Sequence, residues 1–305
     1  MVKKNIPMIS LLFTVFLLSA CGQVSSECKK IAFAMSDFGA GVNPDIYSVC
    51  PDGSHLTQLT RDPAYDASPA WSPDGAKIAF ASSRAGESHV FVMNADGSDP
   101  SQLTFDFVND LPVWLPNGSQ IAFRTLDPNG LWWWRIINIE NNEISQFTEP
   151  SYDFFSQTPA WSPDGQEIAY MSMVEQQQRN DGSSQIHVKK VDGSKDVALT
   201  SDIWANINPV YSPDGSKIAF LSEREGTYNK FALFVMDKDG KNVRKLTESI
   251  YFFTARFTWS PDNMQIAISD APEIGNNIYI LNLGARKMRK LLDLQDGEAA
   301  FAPAW

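Results

Sequence analysis

Short runs of alternating apolar and polar residues, separated by tight-turn signals, recur along the chain from Cys28 onward. Five times an aromatic residue is followed seven positions later by Ile-Ala: Trp71 and Ile78, Trp114 and Ile121, Trp161 and Ile168, Tyr211 and Ile218, Trp259 and Ile266. Between the members of each pair lies Ser-Pro-Asp-Gly, Leu-Pro-Asn-Gly or Ser-Pro-Asp-Asn. Gly or Asn supplies the positive φ that a tight hairpin needs, so each pair predicts two antiparallel strands. A β-rich segment follows, such as Val90–Met93 or Leu233–Met236, and then a second turn whose last residue precedes a Thr by seven positions. The Thr positions are 60, 104, 148, 200 and 247. Each unit therefore holds four short strands with no helical periodicity between them.

Units of 43 to 50 residues with four strands each predict blades of an all-β propeller. The Ile-Ala strand occurs six times, beginning at Ile31, which has no aromatic turn motif before it. The aromatic strand also occurs six times, ending at Trp305 with no Ile-Ala after it. Pairing the strand around Phe301–Trp305 with the one around Lys30–Ala34 completes a ring of six four-stranded blades and hides the two sheet edges.

The first residues change the picture of where the protein works. Lys3 and Lys4 precede an apolar run from Ile6 to Leu18 that is too short to span a bilayer comfortably. Residues 1–20 are expected to be a signal peptide. Leu18-Ser19-Ala20-Cys21 resembles the bacterial lipobox, which implies acylation at Cys21 and a short lipidated tether, 21–27, before a propeller at 28–305. Six residues reach only about 20 Å when extended, so the disc would lie close to its membrane. Loss of the signal takes the formal net charge from −11 to −13. With no basic block anywhere, nucleic acid is excluded as a partner. The expected location is the bacterial envelope, outside the cytoplasm, as a monomer.

Strands that reverse at every step put both kinds of tight turn on one face of the disc. The other face carries the variable loops, where binding residues concentrate. That loop face is aromatic and acidic. Its candidate binding residues are Tyr65, Asp66, Phe105, Asp106, Phe107, Asp110, Trp132, Tyr152, Asp153, Phe154, Phe155, Trp204, Tyr251, Phe252 and Phe253. Packing between blades is the alternative account for any one of these aromatics, and for Trp134 in the Trp132–Trp134 run it is the preferred one.

Catalytic chemistry finds little support. His55, His89 and His187 fall on a turn and on strands of two non-adjacent blades, so they do not converge on a metal or a nucleophile. No cofactor, metal set or catalytic residue is expected. Asp237–Asn242 has a faintly calcium-loop-like composition but coincides with a turn, and its Gly is misplaced for such a loop. Cys28 and Cys50 flank the split blade nearly symmetrically, and in an oxidising compartment they are expected to form a disulfide.

The repeat exemplified by residues 68–104, with its Trp-Ser-Pro-Asp-Gly turn, resembles the unit of the Tol-B-type propellers. The resemblance covers roughly Cys28 to Trp305 and implies an envelope protein. Only Gly22–Glu27 lies between the lipobox cysteine and the repeats, so a free-standing propeller is expected rather than one behind an α/β domain. The leading functional expectation is a non-catalytic scaffold that binds an envelope protein or a polysaccharide- or peptidoglycan-associated partner. The alternative is a glycosidase or lyase using channel-mouth carboxylates, which in a glycosidase stand about 5–10 Å apart.

Overall fold

The computed structural model describes residues 28–37, 39–148, 158–173, 184–224, 230–248, 250–251, 256–269 and 277–305. They form six antiparallel sheets, each a propeller blade. In the second blade the strands run Asp66–Trp71, Lys77–Ala85, Glu87–Asn94 and Ser101–Gln102, from the central axis outward. The first blade joins the two ends of the sequence. Glu298–Ala304 supplies its inner strand and pairs with Ile31–Asp37, with Ala32 opposite Ala304 and Asp37 opposite Glu298. The ring of six blades expected from the repeat count is what is observed.

The repeated residues explain themselves at atomic level. Each Ser-Pro-Asp turn is a closed hydrogen-bond unit. The Ser72 hydroxyl donates to Asp74 Oδ1 at 2.6 Å and accepts the amide of Lys77 at 2.9 Å, while Asp74 Oδ1 also accepts the amide of Ala76. Ser162, Ser212 and Ser260 repeat the pattern. Gly75 (φ 71°) and Asn263 (φ 62°) occupy the left-handed position that closes the turn.

The recurrent Thr also has a fixed task. Its hydroxyl accepts an amide within the third strand, from Ile46, Val90, Trp134, Ile186 and Leu233, each at 2.9 or 3.0 Å. This satisfies a donor that the short outer strand does not reach. In the sixth blade the equivalent position is Leu292, buried among apolar residues instead.

Six apolar clusters hold the disc together, one in each seam between neighbouring blades. The seam of blades two and three, for example, joins Ala79, Val90 and Val92 to Trp114, Ile121, Phe123 and Ile137. Inner-strand tryptophans stitch seams as well as fill them. The Trp114 indole donates to Ala70 O on the preceding blade at 3.1 Å, and Trp259 donates to Val210 O at 3.3 Å. Trp134 is 2% exposed, in keeping with a core role. Cys28 and Cys50 are joined as a disulfide at the turn-face end of the split blade, with Cα atoms 5.7 Å apart.

Candidate functional site

Inner strands of a propeller are edge strands that face a channel, and their unpaired amides need management. Here the sequence does it with proline. Pro69, Pro112, Pro159, Pro209 and Pro303 line the channel, and proline has no amide hydrogen to leave unsatisfied. In four blades the preceding residue, Ser68, Leu111, Asn208 or Ala302, adopts φ of 52° at a bulge where the pairing register shifts. The resulting cavity, about 460 Å³, is walled mainly by these prolines and by Trp71, Trp114, Trp161, Tyr211 and Trp305.

The sixth blade departs from the pattern, with Arg256-Phe257 in place of residue-Pro. The Arg256 guanidinium extends from the sixth blade to the fourth, where Nη1 donates to Thr158 Oγ1 at 3.1 Å. It forms no ion pair with a described residue. Burial pushes its pKa down, Asp110 draws it back up, and Arg124 lowers it again. Sequence reasoning missed Arg256. The signal was there, because it stands where the other copies have an uncharged residue before proline.

The described acidic candidates on the loop face, Asp66, Asp106 and Asp110, are bound, not free. Asp66 is fully buried and accepts from Arg84 at 2.8 Å. Asp110 takes both prongs of Arg124, at 2.9 and 2.6 Å. Asp106 is bidentate with Arg135, both contacts at 3.0 Å. Asp202, not singled out from sequence, pairs with Arg224 at 3.0 Å. Arg84 and Arg224 each also lie over two phenylalanine rings, Phe80 and Phe91 or Phe220 and Phe234. These pairs brace the loops against the sheets and hold the channel mouth in shape.

The aromatic candidates divide. Tyr65, Phe105 and Phe107 are 46%, 75% and 38% exposed, and they are the only aromatics among the strongly exposed large apolar side chains of the described residues. Phe107 meets Trp133 edge-on, with ring centroids 5.9 Å apart. The face of Trp132 is covered by Arg124, whose guanidinium carbon lies 4.1 Å from the ring centre. Trp204 is half-buried, and its carbonyl accepts from Gln185 and Asn206. Tyr152, Asp153, Phe154, Phe155, Phe252, Phe253 and Cys21 lie outside the described residues, and Tyr251 is described only as part of a short strand, Ile250–Tyr251.

His89 is buried against Asn109 at 3.4 Å, and His187, in another blade, lies 3.1 Å from Asp196 on the neighbouring strand of its own sheet. Among the described residues no group of three or more His, Cys, Asp or Glu is arranged to hold a metal, and no helix is long and apolar enough to cross a membrane. The suspect Asp237–Asn242 segment is a turn in which Asp237 accepts from Lys217 and Asn242.

A closed, non-helical ring of six blades with a proline-lined channel defines a six-bladed β-propeller of the Tol-B kind. The family model for the TolB beta propeller domain matches residues 20–179, more than half of the sequence, and the chain belongs to that family. It is 46% identical over 50 residues to a TolB homolog of Chlorobium luteolum, covering 16% of this chain and 12% of that one. It is 28% identical over 94 residues to the Tol-Pal system protein TolB of Desulfosudis oleivorans, covering 31% and 21%. The aligned stretches thus span about a fifth or less of these two relatives. Among solved structures, TolB from Acinetobacter baumannii superposes with a TM-score of 0.75 at 21% identity, over 90% of this chain and 66% of that one.

Proposed function

We propose that the protein is a lipid-anchored envelope scaffold whose propeller binds a partner through its loop face and channel mouth, without catalysis. The observation that carries this reading is the sidedness of exposed aromatic surface. Tyr65, Phe105 and Phe107 all open on the loop face, set in a frame braced by arginine–carboxylate pairs. Exposed aromatics on a rigid rim are the usual anchors of a protein interface. The commitment of Asp66, Asp106 and Asp110 to arginines also argues against their serving as a free acid and base. Family membership supports an envelope setting, and relatives named as Tol-Pal components make an envelope protein the favoured partner. Anchoring through Cys21 would hold the disc within reach of that partner.

Two measurements test this. Metabolic labelling with a clickable palmitate analogue should mark the wild-type protein and not Cys21→Ala. Capture from solubilised envelopes of the source cell should recover a defined protein with the wild type and markedly less with Phe105→Ser/Phe107→Ser. Equal recovery by both, or no partner at all, would overturn the reading.

A further inference from the structure

The channel also carries information about the chemistry of what enters it, an inference that rests on the binding reading above. Among the described residues that wall the cavity, Arg256 is the one charged side chain, and the Asp110 and Arg124 charges lie near enough to act on it. Asp110 is already engaged by both prongs of Arg124. Arg256 has five N–H donors and, among the described residues, one hydrogen-bond partner, the neutral Thr158 hydroxyl. Among the described residues Arg256 has no carboxylate partner of its own, inside a protein whose formal net charge is −11. A charge withdrawn from water without a counter-ion is costly, and a ligand that supplies the counter-ion recovers that cost on binding.

We propose that Arg256 anchors a single carboxylate carried on an apolar body, namely an acidic side chain or C-terminal carboxylate of a polypeptide segment that enters the channel. The proline and tryptophan walls suit an apolar peptide stem. A single channel cation with one planar fork matches a carboxylate. A phosphate would call for further cations, and no lysine lines the cavity. The Arg256 position also accounts for the missing proline in the sixth blade, since the charged side chain starts from the channel edge itself.

The test is an NMR titration of the mature protein with acetylated, amidated Ala-Pro-Glu, its Ala-Pro-Gln counterpart and glucuronate, following the Arg256 Nε–H and the tryptophan indole signals. The Glu peptide should shift the Arg256 signal and bind about tenfold or more tighter than the Gln peptide. Arg256→Gln should abolish that difference. Thr158→Ala, which removes the competing acceptor and keeps the charge, should preserve or strengthen it, so a folding defect in the first variant does not decide the outcome. Equal binding of the two peptides to wild type, an unmoved Arg256 signal, or a response to glucuronate alone would overturn the proposal. Should the Glu peptide fail while envelope capture still yields a partner, this inference falls and the scaffold reading stands. Should the peptide bind as expected while capture yields nothing, the reverse holds.

Discussion

The indole N–H of Trp305 donates to the carbonyl oxygen of Lys29 at 3.0 Å, joining residues 276 positions apart in sequence. The contact sits beside the pairing of Glu298–Ala304 with Ile31–Asp37 and pins the seam on which ring closure depends. Trp305→Phe keeps most of the apolar area and removes the hydrogen bond, so it should cost about 1 kcal/mol in urea unfolding. Removal of residues 298–305 should cost far more, because it strips the inner strand from the first blade and leaves Ile31–Asp37 as a raw edge. A truncated protein with an unchanged midpoint would contradict the closure argument.

The Cys28–Cys50 disulfide clamps the same blade at its turn-face end. Closing a loop with a sequence separation of 22 is worth about 3 kcal/mol by chain entropy. Thiol titration of the native, unreduced protein lacking its lipid cysteine should find no reactive thiol. Cys28→Ser/Cys50→Ser should unfold at distinctly lower urea concentration than the wild type.

The recurrent threonine gives a sharper test of hydrogen bonding. Thr104 is fully buried, and its hydroxyl accepts the Val90 amide at 2.9 Å. Thr104→Val is nearly isosteric but leaves that amide unpaired, at a cost of about 1–3 kcal/mol. Thr104→Ser keeps the acceptor and should lose less. A Val variant as stable as wild type would show that the hydroxyl serves no such purpose.

The Ser-Pro-Asp turns should contribute to the loss of stability in acid. The serine hydroxyl, followed by a backbone amide, holds the carboxyls of Asp74, Asp164, Asp214 and Asp262 below their ordinary value of 3.8. A carboxyl depressed on folding contributes stability above its unfolded pKa and loses it as pH falls through the folded value. The loss therefore develops below about pH 4. Replacing all four by Asn, the residue that takes the Asp place in the third blade's turn at position 117, should flatten the dependence of the urea midpoint on pH in that range. An unchanged slope would reject the assignment.

Much of the fold was legible because each blade repeats the same local solutions. The Pro-Asp-Gly turns, the aromatic-to-Ile spacing and the split first blade are all sequence-local signals, and their count gives the ring. The site was less legible because its charges pair across loops. Nothing in the sequence near Asp106 points to Arg135, 29 positions away on the third strand, and Asp66 looks like a surface acid until Arg84 folds over it. Trp132 invited a stacking role, but Arg124 already covers its face. Arg256 was hidden by the opposite fault: a missing proline is a weaker signal than a repeated one, although it marks the one arginine among the described residues that lines the channel.

The central claim is that recognition belongs to the loop face. A photo-crosslinking amino acid placed at Phe105 or Phe107 on that face, and at Asn117 on the turn face as control, tests it in intact envelopes. The account predicts one defined adduct from positions 105 and 107 and none from 117. Adducts confined to position 117 would contradict it.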